Sequence, residues 1–249
     1  MEPQLKQSWD IDIPLVNAPR RLRLVVARHG QSVWNDERRV QGQQGPGLTK
    51  QGHQQAEALA DHLVATVPDV HRVYSSDLPR ATQTAAPYIA ATGHTLVTDK
   101  KLREIDSGEW SGRMIDDVAV AERDYVHRIR TGEDLPRGRT GETWADVHAR
   151  VGAFLDELCV DAVVELGVDE EATVVVFSHG GAIRALCAEV LGLGVGGHTR
   201  VAAPTNCSIT EFDLRVDGTG RGCVGAVSMS RPSSVLAARP DASLTESVT

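Results

Sequence analysis

Two apolar segments of this chain each run directly into a His-Gly pair, and this echo constrains the fold more than any other feature. The first segment, residues 22–27, ends at Arg28 and His29, and the second, residues 173–177, ends before His179. Short apolar runs of this kind predict buried strands. Ligands of open α/β sheets collect beyond the carboxyl ends of strands, where a following glycine lets backbone N–H groups approach an anion closely. We therefore expect the two histidines to flank one substrate at a site that suits phosphate.

Strand and helix patterns alternate along the rest of the chain. This alternation predicts an α/β fold, a layered, mostly parallel mixed sheet flanked by helices. Strands are predicted near 22–27, 71–74, 95–98, up to 177, 207–214 and 222–228, and helices near 49–67, 79–92, 115–130, 142–162 and 181–191. Thr49 is the expected N-cap of the first helix. Side-chain oxygens at 75–77 are expected to cap the second helix, and Glu142 to lie at the start of a later one, where an acid stabilises the helix dipole.

Length and composition predict one soluble enzyme domain. The chain has 249 residues, enough to bury a substantial core without division. We expect an N-terminal extension at 1–20, the catalytic domain at 21–230 and a disordered tail at 231–249. No apolar run approaches the length of a membrane span, and the first ten residues do not resemble an export signal.

Charge and cysteine usage narrow the class of function. A formal charge of −8 argues against sequence-independent nucleic-acid binding, which needs a basic surface. The four cysteines are widely spaced and contain no Cys-x-x-Cys pair, so neither a zinc site nor a disulfide framework is indicated. A reducing cytoplasm is the predicted location, with no metal and no cofactor. The sequence leaves open whether the chain forms a homodimer.

Eight short motifs in a fixed order resemble the histidine phosphatase superfamily, in its phosphoglycerate-mutase-like branch. They are Arg-His-Gly-x-Ser-x-x-Asn (28–35), Arg-x-Gln-Gly (39–42), Leu-Thr-x-x-Gly-x-x-Gln-Ala (48–56), Ser-Ser-Asp-Leu-x-Arg-Ala-x-Gln-Thr-Ala (75–85), Leu-Arg-Glu-Ile-x-x-Gly-x-Trp-x-Gly (102–112), Gly-Glu-Thr (141–143), Ser-His-Gly-Gly (178–181) and Asn-Cys-Ser (206–208). A single Arg-His-Gly motif is weak evidence for a family, but an ordered set of motifs is specific evidence. The resemblance spans about 21–214 and implies a phosphoglycerate-mutase-like fold.

Cleaving a phosphate monoester requires a nucleophile, cations for the phosphoryl oxygens and an acid for the leaving oxygen. The residues alone do not decide whether His29 or His179 attacks. The resemblance selects His29 as the nucleophile that forms a phosphohistidine, and implies that His179 binds phosphate and stabilises the transferring charge. Arg28 and Arg80 are the expected forked donors to the phosphoryl oxygens.

Three further side chains complete the expected site. Asn35 and Gln41 are expected phosphate-side contacts, as the resemblance implies for Gln41. Glu104 is the expected general acid, which must donate a proton to the leaving oxygen and then take one from water. Its alternative is a plain salt bridge with Arg103, and Asp106 is a competitor for the acid role.

Two alternative functions remain. A phosphoglycerate mutase shares this constellation, but such enzymes carry an aromatic-glycine-x-leucine-x-glycine block and a lysine after the acid. This chain has Ser107-Gly-Glu-Trp-Ser-Gly-Arg after Glu104 and no lysine from 102 onward, which favours a phosphatase. The other alternative is a catalytically inactive module that binds phosphorylated ligands, against which the complete set of catalytic residue types argues.

The substrate is expected to be a small phosphate ester. The segment 113–140 contains six arginines and six acids, so its net charge decides nothing. If one or two of these arginines turn inward, they favour a substrate with a second anionic group, such as glucosyl-3-phosphoglycerate. Otherwise a sugar phosphate or a nucleotide-precursor phosphate fits equally well, and we expect most of these arginines to lie on a solvated helical face. The arginines are Arg113, Arg123, Arg128, Arg130, Arg137 and Arg139.

Overall fold

The computed structural model describes residues 20–165, 170–216 and 222–230. Within these ranges the core of the fold is one six-stranded mixed sheet in the order β3-β2-β4-β1-β5-β6. The strands are β1 Arg20–Arg28, β2 Val70–Ser75, β3 Leu96–Thr98, β4 Glu171–Ser178, β5 Ile209–Val216 and β6 Gly222–Ser230. Three of its neighbouring pairs are parallel and two are antiparallel, as the sequence predicts. The predicted extension and tail lie outside the described residues.

Seven α-helices accompany the sheet in these ranges. They are α1 Val33–Asp36, α2 Lys50–Thr66, α3 Pro79–Thr92, α4 Ile115–Ala121, α5 Arg123–Arg130, α6 Trp144–Glu165 and α7 Gly180–Val190. Thr49 caps α2 as predicted, because its hydroxyl accepts the N–H of Gly52 at 2.9 Å. The single helix predicted near 115–130 is two helices that meet at Glu122. The predicted side-chain cap of α3 is absent, since the capping position is Leu78.

Alternate residues of the central strands feed two apolar layers, because successive side chains of a strand point to opposite faces. Leu24, Val26 and Val174 pack with α6 and α7 on one face. Val25 and Val175 pack with α2 and α3 on the other. Burial on both faces explains why these strands read as continuous apolar runs rather than alternating ones.

The register of the parallel strands brings the two His-Gly turns together. β1 and β4 run in parallel with Arg28 opposite Ser178, and the N–H of His29 donates to the carbonyl of Ser178 at 3.0 Å. β2 also lies parallel to β4, with Ser75 opposite Phe177. Three strands therefore end at one edge of the sheet, and the candidate site forms there.

Candidate active site

His29 directly follows β1, and a hydrogen bond to one of its ring nitrogens determines where the ring carries its proton. Its Nδ1 lies 2.7 Å from the carbonyl oxygen of Gly30. A carbonyl only accepts, so Nδ1 carries the proton and Nε2 keeps its lone pair. The turn is held in place by Thr84, whose hydroxyl accepts the N–H of Gly30 at 3.0 Å. A Cβ on residue 30 would lie 2.6 Å from the carbonyl oxygen of Gly52, so this close approach requires glycine. The arrangement presents an imidazole lone pair in a fixed direction.

His179 follows β4 and lies directly before α7. Its ring centroid is 5.1 Å from that of His29, with the rings tilted by 55°. Its Nε2 is hydrogen-bonded to the hydroxyl of Ser76 at 2.8 Å. Its Nδ1 is buried and has no hydrogen-bond partner among the described groups. Ser76 belongs to a motif of the sequence, but only the fold reveals that it orients the second histidine.

Both imidazoles are held neutral by their surroundings. His29 and His179 are buried, and burial lowers the pKa of each well below the ordinary value for histidine. The charges of Arg28 and Arg80 lower both pKa values further. Neutral histidine is the form with a lone pair, so each imidazole has a ring nitrogen that can act as a nucleophile or accept a hydrogen bond at neutral pH.

Arg28 and Arg80 bring two guanidinium groups to the same buried edge. Arg28 donates to the carbonyl of Pro204 at 2.6 Å, and Arg80 donates to those of Gly42 and Gln44 at 2.7 and 3.0 Å. The Nε atom of each arginine is buried and unpartnered among the described residues. Burial lowers the pKa of Arg80 to about 10, and the neighbouring charge of Arg28 also lowers it, against the opposing effect of a carboxylate. Two nearby cations, Arg80 buried and Arg28 half-buried, each with an unused buried donor, favour an anionic ligand.

Glu104 is held by backbone rather than by a cation. Its Oε1 accepts the N–H of Ile105 at 2.9 Å, and both oxygens accept the N–H of Gly181, at 3.0 and 3.1 Å. The salt bridge with Arg103, considered from the sequence, is wrong. The Nε of Arg103 donates to Asp77 at 2.6 Å instead. The carboxylate of Glu104 is thereby left beside α7.

The side chains of Arg28 and Glu104 both lie close to Gly180, the first residue of α7. A Cβ on Gly180 would lie 3.6 Å from Nε of Arg28 and 3.8 Å from Oε2 of Glu104. A carboxyl group and a guanidinium group thus approach the same point, next to His179. The site therefore combines an anionic oxygen with cationic N–H donors within a few ångströms.

The side-chain amide oxygens of Asn35 and Gln41 both accept hydrogen bonds from neighbouring residues. Oδ1 of Asn35 accepts the N–H of Ser32 at 3.2 Å and Nδ2 of Asn206 at 3.3 Å. Oε1 of Gln41 accepts the hydroxyl of Ser32 at 2.7 Å. The amide NH₂ groups remain as donors, which suits an anion. Asn206 also donates to the carbonyl of His29 at 3.0 Å, a link between the last motif and the first that sequence reasoning missed.

Comparison with known proteins places this geometry in a family. The family model of the histidine phosphatase superfamily (branch 1) matches residues 24–221. The chain belongs to the histidine phosphatase superfamily. It is 32% identical to a probable phosphoglycerate mutase, GpmB, of Enterobacter sp. (strain 638) over 194 residues, covering 78% of this chain and 86% of that protein.

Solved structures of a mycobacterial phosphatase and a mycobacterial hydrolase superpose on most of this chain. The native structure of a mycobacterial glucosyl-3-phosphoglycerate phosphatase is 33% identical in sequence, with a TM-score of 0.69. The match covers 78% of this chain and 91% of the phosphatase chain. A structure described as mycobacterial hydrolase 1 is 30% identical, with a TM-score of 0.72, and covers 83% of this chain and 98% of its own. These neighbours support a phosphatase enzyme with the observed fold.

Glu142, interpreted from the sequence as a residue at a helix start, has a different role in this histidine phosphatase. The first N–H groups of α6 donate to the carboxylate of Asp134, at 2.7 Å from Trp144 and 2.9 Å from the next residue. Glu142 instead accepts the N–H of Asp106 at 2.8 Å and Nε of Arg150 at 2.8 Å. The capping role of Glu142 is therefore wrong, although its role is structural as expected from the sequence. The Asp106 carboxylate accepts the N–H of Gly108 at 3.0 Å.

Arg150 fixes the backbone that carries Glu104. From α6, its guanidinium donates to the carbonyls of Lys101, Arg103 and Glu104 at 2.7, 2.6 and 3.1 Å. Its remaining donors bind Glu142. Arg150 lies outside every motif, so the sequence offers no signal for this role.

Within the described ranges, no three His, Cys, Asp or Glu side chains are grouped so that they could hold a metal ion. Cys159, Cys187 and Cys207 are buried and are not disulfide-bonded.

No helix of the described segments is both long and apolar enough to cross a membrane.

Proposed function

We propose that this histidine phosphatase hydrolyses a small phosphate monoester through a phosphohistidine formed on His29. The observation that carries the proposal is the fixed tautomer of His29. Because Nδ1 donates to Gly30, the lone pair is on Nε2, and His29 shares its edge of the sheet with His179, the buried Arg80 and the half-buried Arg28.

In the first step, Nε2 of His29 attacks phosphorus and the ester P–O bond breaks. Arg28, Arg80 and His179 stabilise the charge on the equatorial oxygens. Glu104, protonated at this stage, gives its proton to the leaving oxygen, so the alcohol departs neutral.

In the second step, the ionised Glu104 takes a proton from water, and the water oxygen attacks the phosphohistidine. The P–N bond breaks, inorganic phosphate leaves, and His29 and Glu104 return to their starting forms. No metal or cofactor enters either step.

The substrate is a sugar phosphate or a sugar-acid phosphate such as glucosyl-3-phosphoglycerate. This choice is supported by the mycobacterial neighbour, which is described as acting on that compound. A small-molecule partner, rather than a nucleic acid, and a cytoplasmic location remain part of the proposal.

A phosphoglycerate mutase is the second candidate, because the curated relatives carry that description as a probable activity. In a mutase the phosphoryl group on His29 returns to a bound phosphoglycerate instead of passing to water. The region after Glu104 lacks the mutase block and its lysine, which favours transfer to water.

The deciding experiment supplies 3-phosphoglycerate with a 2,3-bisphosphoglycerate primer and follows inorganic phosphate and 2-phosphoglycerate together. We expect phosphate release to exceed isomerisation, and the His29→Ala variant to show neither. Isomerisation faster than phosphate release would replace the phosphatase with the mutase. If the protein shows neither activity on this or any other phosphate monoester, it would instead be a module that only binds phosphorylated ligands.

A further inference from the structure

A cavity of about 360 Å³ lies beside the catalytic edge, between α5, the start of α6 and the segment that follows α7. Its wall includes Ile129, Arg130, Arg137, Trp144, Arg184 and His198. The volume has room for a small polar group and the few carbons that join it to a phosphate ester.

The cavity adjoins Glu104 through Gly181. A Cβ on Gly181 would lie 2.1 Å from Oε1 of Glu104 and 3.5 Å from Cη2 of Trp144, which lines the cavity. Arg184 lies on the next turn of α7, close enough to Glu104 for their charges to interact. The cavity thus lies next to Glu104, the proposed acid for the leaving oxygen.

Two guanidinium groups and one indole form the polar part of the cavity. The Cζ atoms of Arg137 and Arg184 lie 5.7 and 5.9 Å from the ring centroid of Trp144. NH1 of Arg137 is buried and has no hydrogen-bond partner within the described structure. Arg184 uses only Nε, which donates to the carbonyl of His198 at 2.9 Å. Donors of both arginines thus remain for a ligand.

The remaining ionisable groups of the wall leave a positive balance. The carboxylate of Glu133, which is part of the wall, is paired with Arg128 at 2.6 Å. Asp134 faces Arg137 but also accepts two N–H groups at the start of α6. His198 stacks on Trp144 at 3.6 Å, and burial lowers its pKa to about 4, so it is neutral at neutral pH.

The other arginines of the 113–140 segment point elsewhere. Arg113 and Arg139 pair with Glu122, Arg128 pairs with Glu133, and Arg123 is exposed. Arg130 and Arg137 are therefore the two that line the cavity. Of these, Arg137 has the buried, unused donor.

We propose that this cavity binds a carboxylate on the leaving part of the substrate, with Arg137 as the principal donor. The proposal rests on the proposed phosphatase function and names its preferred substrates as phosphate esters of hydroxy acids. A planar monoanion matches a guanidinium fork, and Asp134 beside Arg137 favours one negative charge over two.

The test compares 3-phosphoglycerate with glycerol 3-phosphate, which has a hydroxymethyl group in place of the carboxylate. We expect kcat/KM of the native enzyme to favour 3-phosphoglycerate by roughly 10-fold or more, the scale of one charge-assisted hydrogen bond. Arg137→Gln should remove most of this preference, and Arg137→Lys should retain part of it. The exposed Arg123→Gln is the matched control and should keep the native preference.

A native preference near unity would overturn the carboxylate subsite, whether or not the variants fold. So would an Arg137→Gln protein with native thermal stability and an unchanged preference. Hydrolysis of p-nitrophenyl phosphate separates the two proposals, because it needs no second anion. If p-nitrophenyl phosphate is cleaved by native enzyme but not by His29→Ala, the phosphatase stands and only the subsite falls. No cleavage of any of the three esters would overturn the phosphatase itself, and the subsite with it.

Discussion

Replacing Gly181 by alanine should displace the carboxyl group of Glu104 without unfolding the protein. The added Cβ would lie 2.1 Å from Oε1 and 3.2 Å from Cδ of Glu104. Carbon and oxygen atoms pack favourably at about 3.5 Å, so the carboxyl group must move by more than about 1 Å. The atom that moves is the end of a flexible side chain, and alanine favours a helix over glycine by about 1 kcal/mol, so stability should hardly change.

The kinetic consequence depends on the leaving group. A displacement of about 1 Å costs on the order of 10²-fold when a catalytic group must meet its target. Glycerol 3-phosphate has a poor leaving group that needs the proton, so its kcat/KM should fall by roughly 10²-fold. The leaving group of p-nitrophenyl phosphate is already stable as an anion, and hydrolysis of this ester should fall far less.

The assay measures both substrates for Gly181→Ala, Glu104→Gln and the double variant. The double variant should lose little beyond Glu104→Gln alone, because both changes remove the same function. Gly152→Ala is the control, since its Cβ would lie at an ordinary 3.8 Å from Glu189. Equal losses on the two esters, or full activity in Gly181→Ala, would refute the role of Glu104 as the acid.

Three further outcomes follow from the structure. Arg150→Gln removes donors from three carbonyls and leaves Glu142 without its main partner. It should lower the free energy of unfolding, measured by urea titration, by roughly 2–4 kcal/mol. It should also slow the hydrolysis of alkyl phosphate esters more than that of p-nitrophenyl phosphate. Equal slowing of both would limit Arg150 to a structural role. Between pH 6.5 and about 4 the unfolded chain protonates His198 while the folded chain does not. The free energy of unfolding should therefore fall on acidification by up to about 1.4 kcal/mol per pH unit from this group. His198→Gln should make the fall shallower, and an unchanged slope would contradict the neutral buried imidazole. Excess EDTA should leave activity intact and vanadate, which adopts the shape of the in-line transition state, should inhibit it; activity lost to EDTA and restored by a divalent ion would mean a metal enzyme.

The meeting of His29 and His179 could be predicted from the sequence because it depends on local patterns. Two apolar runs, each followed by His-Gly, predict strands, and parallel strands bring their carboxyl ends to one edge. The helix start at Thr49 could be predicted for the same reason, since a cap and its helix are neighbours in sequence.

The supporting contacts could not be predicted, because they join residues far apart in the chain. Ser76 reaches His179 across 103 positions, and Arg150 reaches Glu104 across 46. Glu142 and Asp134 are both acids before the same helix, and only their positions in space decide which one accepts its first N–H groups. The position of Arg137 in the cavity wall could likewise not be predicted, because the six arginines of the 113–140 segment have similar neighbours in sequence.

Detection of a covalent intermediate on His29 is the most direct test of nucleophilic catalysis by this residue. Native enzyme mixed with a ³²P-labelled phosphate ester should be quenched within the first turnover and the protein examined for label. We predict a phosphoprotein that is stable in base and labile in acid, as expected for a phosphoramidate, with the label on His29 and none in His29→Ala. Undiminished labelling of His29→Ala, or an acid-stable label on another residue, would contradict nucleophilic catalysis by His29.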